Sequence, residues 1–141
     1  MAKAFWLAKS EPEIYPFSKL VEEKTTIWDG VRNYEARNNL AAMATGDLVL
    51  FYHSHDAEIA GIARVTGAAR PDVTSADPRW VAVELTAVVA LAQPVALTTI
   101  RADRRFAKLK LVTHSRLSVM PVEPEQFARL LELGRTKIPR R

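Results

Sequence analysis

The sequence contains no cysteine. This absence excludes disulfide bonds, thiolate metal sites and a cysteine nucleophile. It also lacks a phosphate-binding loop and a GxGxxG fingerprint, the glycine-rich segments that hold nucleotide phosphates. We therefore expect no cofactor.

A long hydrophobic run is missing as well. The longest uncharged stretch extends from Leu85 to Ile100, and Gln93-Pro94 interrupts it. It falls short of the roughly 20 apolar residues that a membrane-spanning helix needs. The first nine residues, which end at Lys9, are too few for a signal peptide, and charged residues interrupt them too soon. We predict a cytoplasmic protein that binds no membrane.

The composition is that of one globular domain. The chain has 141 residues, of which 48% are hydrophobic and 26% charged, so it is long enough to build its own core. Its net charge of +4 is unevenly distributed. Residues 101–116 and the segment after Gly134 are strongly basic and the remainder is acidic. This pattern suits a polyanion such as nucleic acid, although a solvated loop and a basic tail would show it too.

Strand patterns outnumber helix patterns along the chain. Strands are predicted at 4–9, 25–28, 48–52, 59–66, 80–89 and 117–122, and helices at 17–24, 33–45 and 124–133. Gly61 is predicted to be a bulge or a point of close approach, and residues 98–111 are ambiguous. The irregular order predicts an α+β fold in which helices pack on a curved sheet or small barrel.

The densest group of polar and aromatic residues is Trp28-Asp-Gly-Val-Arg-Asn-Tyr-Glu-Ala-Arg-Asn38, at a turn that opens a helix. Asn33 and Arg37 fall at the edge of the helix's core stripe. Buried without partners they would cost several kcal/mol. Either Asn33 caps the helix and Arg37 forms a salt bridge, or both face a ligand pocket.

A second group, Phe51-Tyr-His-Ser-His-Asp56, follows a buried strand. His53, His55 and Asp56 are conceivable metal ligands, but they are too few for a defined site, and we predict no metal. The alternative is that one histidine binds main chain and the other is exposed. A hydrolytic triad with Ser10 or Ser54 lacks the nucleophile-elbow sequence, and the Ser118 hydroxyl in an apolar strand is ordinarily satisfied by a neighbouring strand.

Six segments together resemble the EVE domain family and its small bacterial members. They are FWLAKSEP (5–12), WDGVRNYEARN (28–38), GDLVLFYHS (46–54), GIARV (61–65), DPRW (77–80) and RLSVMPV (116–122). The resemblance covers residues 1–134 as a single domain and leaves 135–141 as a basic tail. It implies a PUA-like fold, a curved sheet or barrel with flanking helices, and a relation to YTH domains, which read a methylated RNA base.

The resemblance also implies roles for individual residues. Trp28 would form one wall of a base pocket, with Tyr52 opposite. Near the base edge or rim would lie Ser10, Asn33, His53 and Ser118. Three arginines would hold the pocket or meet phosphate, namely Arg32, Arg37 and Arg116. Further phosphate contacts would come from Arg101, Arg104, Arg105, Lys108 and Lys110.

The resulting hypothesis is a non-catalytic, monomeric module that binds DNA or RNA and recognises a modified base, with modified cytosine favoured. A second hypothesis is an enzyme acting on a modified nucleotide or nucleic acid, with Ser10, His53 or Asp29 in acid–base roles. A third is a protein-interaction module, which would show an exposed apolar patch and no deep pocket.

Overall fold

The chain forms one six-stranded mixed sheet flanked by helices. The computed structural model describes residues 4–139, so Arg140 and Arg141 of the predicted basic tail lie outside the described residues. In chain order the elements are β1 (Phe5–Ser10), α1 (Phe17–Glu23), β2 (Thr25–Trp28), α2 (Tyr34–Ala42), β3 (Leu48–His53), β4 (Glu58–Pro71), β5 (Val81–Ala96), α3 (Leu97–Ala102), a 3-10 turn (Arg104–Phe106), α4 (Lys110–Thr113), β6 (Val119–Val122) and α5 (Pro124–Leu133).

The strand order is β2-β5-β4-β3-β1-β6. The pairing of β1 with β3 is parallel and the other pairs are antiparallel. The sheet is curved and open, with β2 and β6 at its edges. Register shifts along β4 are bulges, which bend and twist a sheet. The predicted α+β fold is thereby confirmed.

Apolar side chains cover both faces of the sheet. On one face Phe5 stacks on Phe127 of α5, with ring centroids 4.2 Å apart. On the other face Phe51 is fully buried among aromatic rings, and it meets Phe17 of α1 at 5.3 Å. Because side chains alternate along a strand, residues 49, 51 and 53 of β3 share the second face. In the described part of the chain, no helix has the length and apolar character to cross a membrane.

Local signals explain several element boundaries. Asn33 caps α2 by accepting a hydrogen bond from the Ala36 N–H at 2.9 Å, while Pro124 and a capping box start α5 and Gly134 ends it. The predicted end of α2 at Thr45 is wrong, since the helix stops at Ala42.

The predicted role of Gly61 is confirmed. The register of β4 shifts between Ile59 and Gly61, and a Cβ at Gly61 would collide with the Phe17 ring. The ambiguous segment 98–111 forms short helical turns that bury Ile100, Phe106 and Leu109.

Candidate nucleic-acid interface

A depression of about 370 Å³ lies beside Trp28, at the end of β2. The half-buried indole is nearly perpendicular to the rings of Tyr15 and Phe51, with centroids 6.0 and 5.4 Å away. These edge contacts fix the position of the indole. The depression is within the size range of small-molecule sites. Its lining residues are Ile14, Tyr15, Thr26, Ile27, Trp28 and Asp29.

Ser10 contacts this depression through Tyr15, one of the lining residues. It is buried, and its hydroxyl donates a 2.6 Å hydrogen bond to the main-chain carbonyl of Tyr15. The Tyr15 hydroxyl in turn donates to Glu23 Oε1 at 2.7 Å, and burial raises the pKa of Tyr15. Ser10 therefore holds the loop that carries Tyr15, and its hydroxyl is engaged there.

His53 anchors α1. Its Nε2 accepts a hydrogen bond from the Phe17 N–H at 3.0 Å, and its Nδ1 is 3.4 Å from Asp56 Oδ2. Accepting at Nε2 requires the proton of a neutral imidazole to sit on Nδ1. This is the backbone-bonded histidine that the sequence left as an alternative, and its ring is engaged with the chain itself.

Two groups of acidic residues and histidines include residues of the turn between β3 and β4. One comprises Glu11, Glu13 and His55, and the other His53, Asp56 and Glu58. His55 Nδ1 contacts Glu13 at 2.7 Å, a contact that raises the pKa of His55, and this group is solvent-exposed. In the second group the Nδ1 proton of His53 occupies the position that a metal ion would need. The geometry gives neither group a prepared metal site.

A buried carboxylate, Asp72, organises the segment that follows Trp28. Its Oδ2 accepts from the Gly30 N–H at 2.8 Å and from Arg32 Nη1 at 2.9 Å. Gly30 has a φ of 78°, a left-handed conformation that favours glycine. Burial alone would raise the pKa of Asp72, but hydrogen bonds from Thr74, Arg32 and Gly30 outweigh it and hold the pKa well below its usual range.

Asp72 is a residue of this site that was not predicted from the sequence. It lies in a segment that reads only as a polar loop, although the spacing Asp72-Val-Thr74 is typical of a carboxylate bound to its own turn. The Thr74 N–H does donate to Asp72 Oδ1 at 2.8 Å. The local pattern thus held the signal for the turn but none for Gly30, because that contact spans 42 residues.

The two arginines of the WDGVRNYEARN segment are engaged with this loop. Arg32 binds Asp72 and lies over the Trp80 ring at 5.6 Å. Arg37 donates to the main-chain carbonyl of Arg79 at 3.2 Å and lies over Tyr34 at 5.8 Å. Its Nε is buried and has no hydrogen-bond partner among the described residues. Arg37 therefore donates to a main-chain carbonyl, whereas one of the two alternatives drawn from the sequence was a salt bridge.

A second depression of about 330 Å³ brings Asn33 and Arg116 together. Its other lining residues are Glu35, His114, Ser115 and Leu117. Trp28 is not part of this lining. The half-buried Ser118 follows directly and accepts from the Lys9 N–H through its main-chain carbonyl at 2.9 Å. Of the predicted base-pocket residues, Trp28 thus lines the first depression, and Asn33 and Arg116 line the second.

The predicted position of Tyr52 opposite Trp28 is wrong. The aromatic residues that contact Trp28 within the described chain are Tyr15 and Phe51. Tyr52 follows Phe51 and takes the other face of β3, where Lys9 lies 6.0 Å from its ring centroid. Burial raises the pKa of Tyr52, and the nearby charge of Arg101 partly opposes that rise.

The predicted phosphate-binding residues fall into more than one group. Arg104, Arg105 and Lys108 line a depression of about 480 Å³ together with Ala107, Glu123 and Gln126. It shares no lining residue with the depression beside Trp28. Arg105 also contacts Asp103 at 3.2 Å, and Lys110 contacts Glu35 at 2.9 Å. Arg101 is exposed on α3.

Comparisons with known proteins match nearly the whole chain. The family model described as the EVE domain matches residues 4–133. Human thymocyte nuclear protein 1 is 33% identical over 163 residues, covering 91% of this chain and 72% of that protein. A crystal structure of Atu2648 from Agrobacterium tumefaciens has a TM-score of 0.91 at 37% identity and covers 98% of this chain and 100% of that chain.

Two further structures were solved with nucleic acid. Human THYN1 protein in complex with 5-methylcytosine containing DNA has a TM-score of 0.89 at 30% identity, covering 96% of this chain and 99% of that chain. The YTH domain of Zygosaccharomyces rouxii MRB1 protein, in complex with N6-methyladenosine RNA, has a TM-score of 0.58 at 17% identity and covers 96% of this chain and 90% of that chain. The second likeness shows a shared fold alone, and the first confirms the PUA-like architecture.

Proposed function

The chain belongs to the EVE domain family, and from this premise we propose that it is a non-catalytic module that binds nucleic acid and recognises a modified base, with modified cytosine favoured. The support is a relative of closely similar structure that binds 5-methylcytosine containing DNA, together with an aromatic depression on this chain. As the sequence predicts, we propose that the protein is located in the cytoplasm and is a monomer.

The observation that carries the proposal is the depression beside Trp28. Extracting a base from its stack costs a few kcal/mol. Stacking on an aromatic side chain returns about 1–3 kcal/mol. The contacts of Trp28 with Tyr15 and Phe51 fix the indole before a ligand arrives, so little ordering cost is added on binding.

The basic residues supply the second part of the binding energy. Arg104, Arg105 and Lys108 are exposed and border one depression, which suits a phosphate backbone. Such contacts add affinity without reading sequence, and they weaken as counterion concentration rises. We therefore assign base discrimination to the Trp28 depression and general affinity to the basic surface.

An enzymatic role finds less support in the geometry. The Ser10 hydroxyl and the His53 ring, both candidates for acid–base roles, are buried and hydrogen-bonded to main chain. A general base must reach the proton that it abstracts, and these two groups are committed to holding Tyr15 and Phe17. Asp29 lines the depression, and the lining contains no second carboxylate.

Fluorescence polarisation with short labelled oligonucleotides tests the proposal. The probes are DNA and RNA, each carrying cytosine, 5-methylcytosine or 5-hydroxymethylcytosine at one position, at low and high salt. We expect preferential binding to one modified probe, and a preference that persists at high salt. Equal binding of all probes that disappears with salt would refute base recognition and leave only the basic surface.

Trp28→Ala and Trp80→Ala form a matched pair for the same assay. Both tryptophans are half-buried, but Trp80 stacks on Tyr34 and is absent from the lining of the depression. We expect Trp28→Ala to abolish preferential binding with the fold retained, and Trp80→Ala to preserve the preference. Loss of folding together with binding in Trp28→Ala would make Trp28 a core residue and remove it from the proposed site.

A further inference from the structure

The outer edge of β2 carries main-chain groups that the sheet leaves unpaired. Among residues 4–139, β2 pairs only with β5, in the register Thr25 to Thr86 and Ile27 to Glu84. The Ala87 N–H donates to the Lys24 carbonyl at 2.9 Å. In an antiparallel pair the bonding direction alternates along the strand. The main chains of Lys24, Thr26 and Trp28 therefore point towards β5, and those of Thr25 and Ile27 point outward.

Ile27 is the outward residue that borders the depression beside Trp28. No described residue provides a hydrogen-bond partner for its N–H or its carbonyl. Proteins usually protect an exposed sheet edge, because unpaired groups attract another strand. Here Ile14 and Tyr15 line the same depression as Ile27, so the edge borders a concave site.

We propose that the N–H and carbonyl of Ile27 read the pairing edge of a cytosine held in the depression beside Trp28. This inference rests on the proposed function and adds the groups that recognise the base. The two groups of one extended residue present a donor and an acceptor side by side. The pairing edge of cytosine offers the matching order, since its N3 accepts and the neighbouring N4 amine donates.

This assignment separates recognition of the base from recognition of its modification. A 5-methyl group lies on the side of the ring that carries C5, away from N3. The Ile27 main chain would therefore bind cytosine and 5-methylcytosine equally well. Preference for the methyl group must come from other contacts in the depression, and a change at Ile27 should alter affinity without altering the preference.

Proline at position 27 is the direct test, because proline has no N–H and is tolerated on edge strands where the N–H faces outward. Ile27→Ala controls for loss of the side chain. Thr25→Pro is the matched control, since its N–H also faces outward but lies two residues, about 7 Å, further from Trp28. Polarisation with cytosine and 5-methylcytosine DNA is measured for each variant, with thermal unfolding to verify the fold.

We expect Ile27→Pro to bind both probes about tenfold more weakly than Ile27→Ala, which corresponds to about 1.4 kcal/mol for one lost hydrogen bond. The ratio between the probes should stay the same, and Thr25→Pro should bind like the wild type. Equal affinities of Ile27→Pro and Ile27→Ala, or equal losses in the two proline variants, would overturn the assignment.

Hydrogen exchange on the wild-type protein gives a second readout that needs no variant. The Ile27 and Thr25 amides should both exchange rapidly in the free protein, as unpaired edge groups do. Saturating 5-methylcytosine DNA should slow Ile27 at least about tenfold and leave Thr25 unchanged. Binding without protection of Ile27 would overturn this inference alone, whereas absence of any preferential binding by the wild type would overturn the proposed function with it.

Discussion

Replacement of Asp72 by asparagine tests how the segment after Trp28 is held. Asp72 is 2% exposed and accepts four hydrogen bonds, from Gly30 N, Arg32 Nη1, Thr74 N and Thr74 Oγ1. Asparagine has nearly the same shape but one oxygen, so one pair of donors must face an amide NH₂ group. In either orientation of the amide, one of the two pairs of donors loses its acceptor.

The expected cost follows from which donors lose their acceptor. Hydrogen bonds to a charged group contribute about 1.5–3 kcal/mol each. If the amide oxygen stays with Thr74, the Gly30 N–H and Arg32 lose their acceptor. The Arg32 side chain is 40% exposed and regains water, so most of the loss comes from Gly30. We expect Asp72→Asn to lower the free energy of unfolding by about 2–3 kcal/mol.

Urea denaturation from pH 8 to pH 2.5 would measure both the magnitude and its pH dependence. The pKa of Asp72 in the folded state is lowered from its ordinary value of 3.8. Its contribution to stability is therefore fully present above that value and is lost as the pH falls through the folded-state pKa. The difference between wild type and Asp72→Asn should be constant at neutral pH and shrink below about pH 4.

Asp77→Asn is the matched control in the same loop. Asp77 is bound to Arg79 on the surface, and hydrogen bonds from Arg79 lower the pKa of Asp77 to about 2. Exposed pairs contribute little to stability, so we expect a much smaller change than for Asp72. A loss below about 0.5 kcal/mol in Asp72→Asn at pH 7, or a difference that does not shrink in acid, would refute the role given to Asp72.

Two further substitutions probe the support of the site. Gly61→Ala should cost about 1–3 kcal/mol by overpacking, because its Cβ would meet the Phe17 ring, and urea denaturation would measure the loss. His53→Ala should cost about 1–3 kcal/mol, since it leaves the Phe17 N–H buried without its acceptor, and it should speed amide exchange in α1. His55→Ala, at an exposed position, should change neither stability nor exchange, and equal effects of the two histidine variants would contradict the anchoring role of His53.

The parts of the fold that the sequence predicted are those determined by short-range chemistry. Helix α5 begins and ends as expected because Pro124 and Gly134 act on their own turns. The extent of β5 was not predictable in this way. It continues through Pro94 to Ala96, because Glu58 and Ile59 of β4 pair with its last residues. Strand ends of this kind depend on a partner that is distant in the sequence.

The same division applies to the candidate site. The family resemblance pointed to Trp28, which lines a depression, and its role as a wall of a base pocket stays a prediction. The sequence could not show that the polar groups of Ser10 and His53 would form hydrogen bonds with the main chain of Tyr15 and Phe17. The error at Tyr52 was avoidable, because alternation along β3 puts it on the face opposite to Phe51, the ring that does contact Trp28.

The strength of methyl recognition is limited by the physics of such a depression. Burying one methyl group contributes about 0.8 kcal/mol, which is a factor of about four in affinity. The basic surface adds affinity that does not distinguish cytosine from 5-methylcytosine. We therefore expect the ratio of the two dissociation constants to be about fourfold at most.

This ratio should not depend on salt, although both affinities should fall between about 50 mM and 200 mM salt. Salt acts on the phosphate contacts, which the two probes share, whereas methyl burial releases no counterions. Titration of matched DNA probes at several salt concentrations gives the ratio directly. A preference well above about tenfold would contradict methyl burial as its source, and would require hydrogen bonds that form only with the modified base. A ratio that falls towards one as salt rises would place the discrimination on the basic surface instead of beside Trp28.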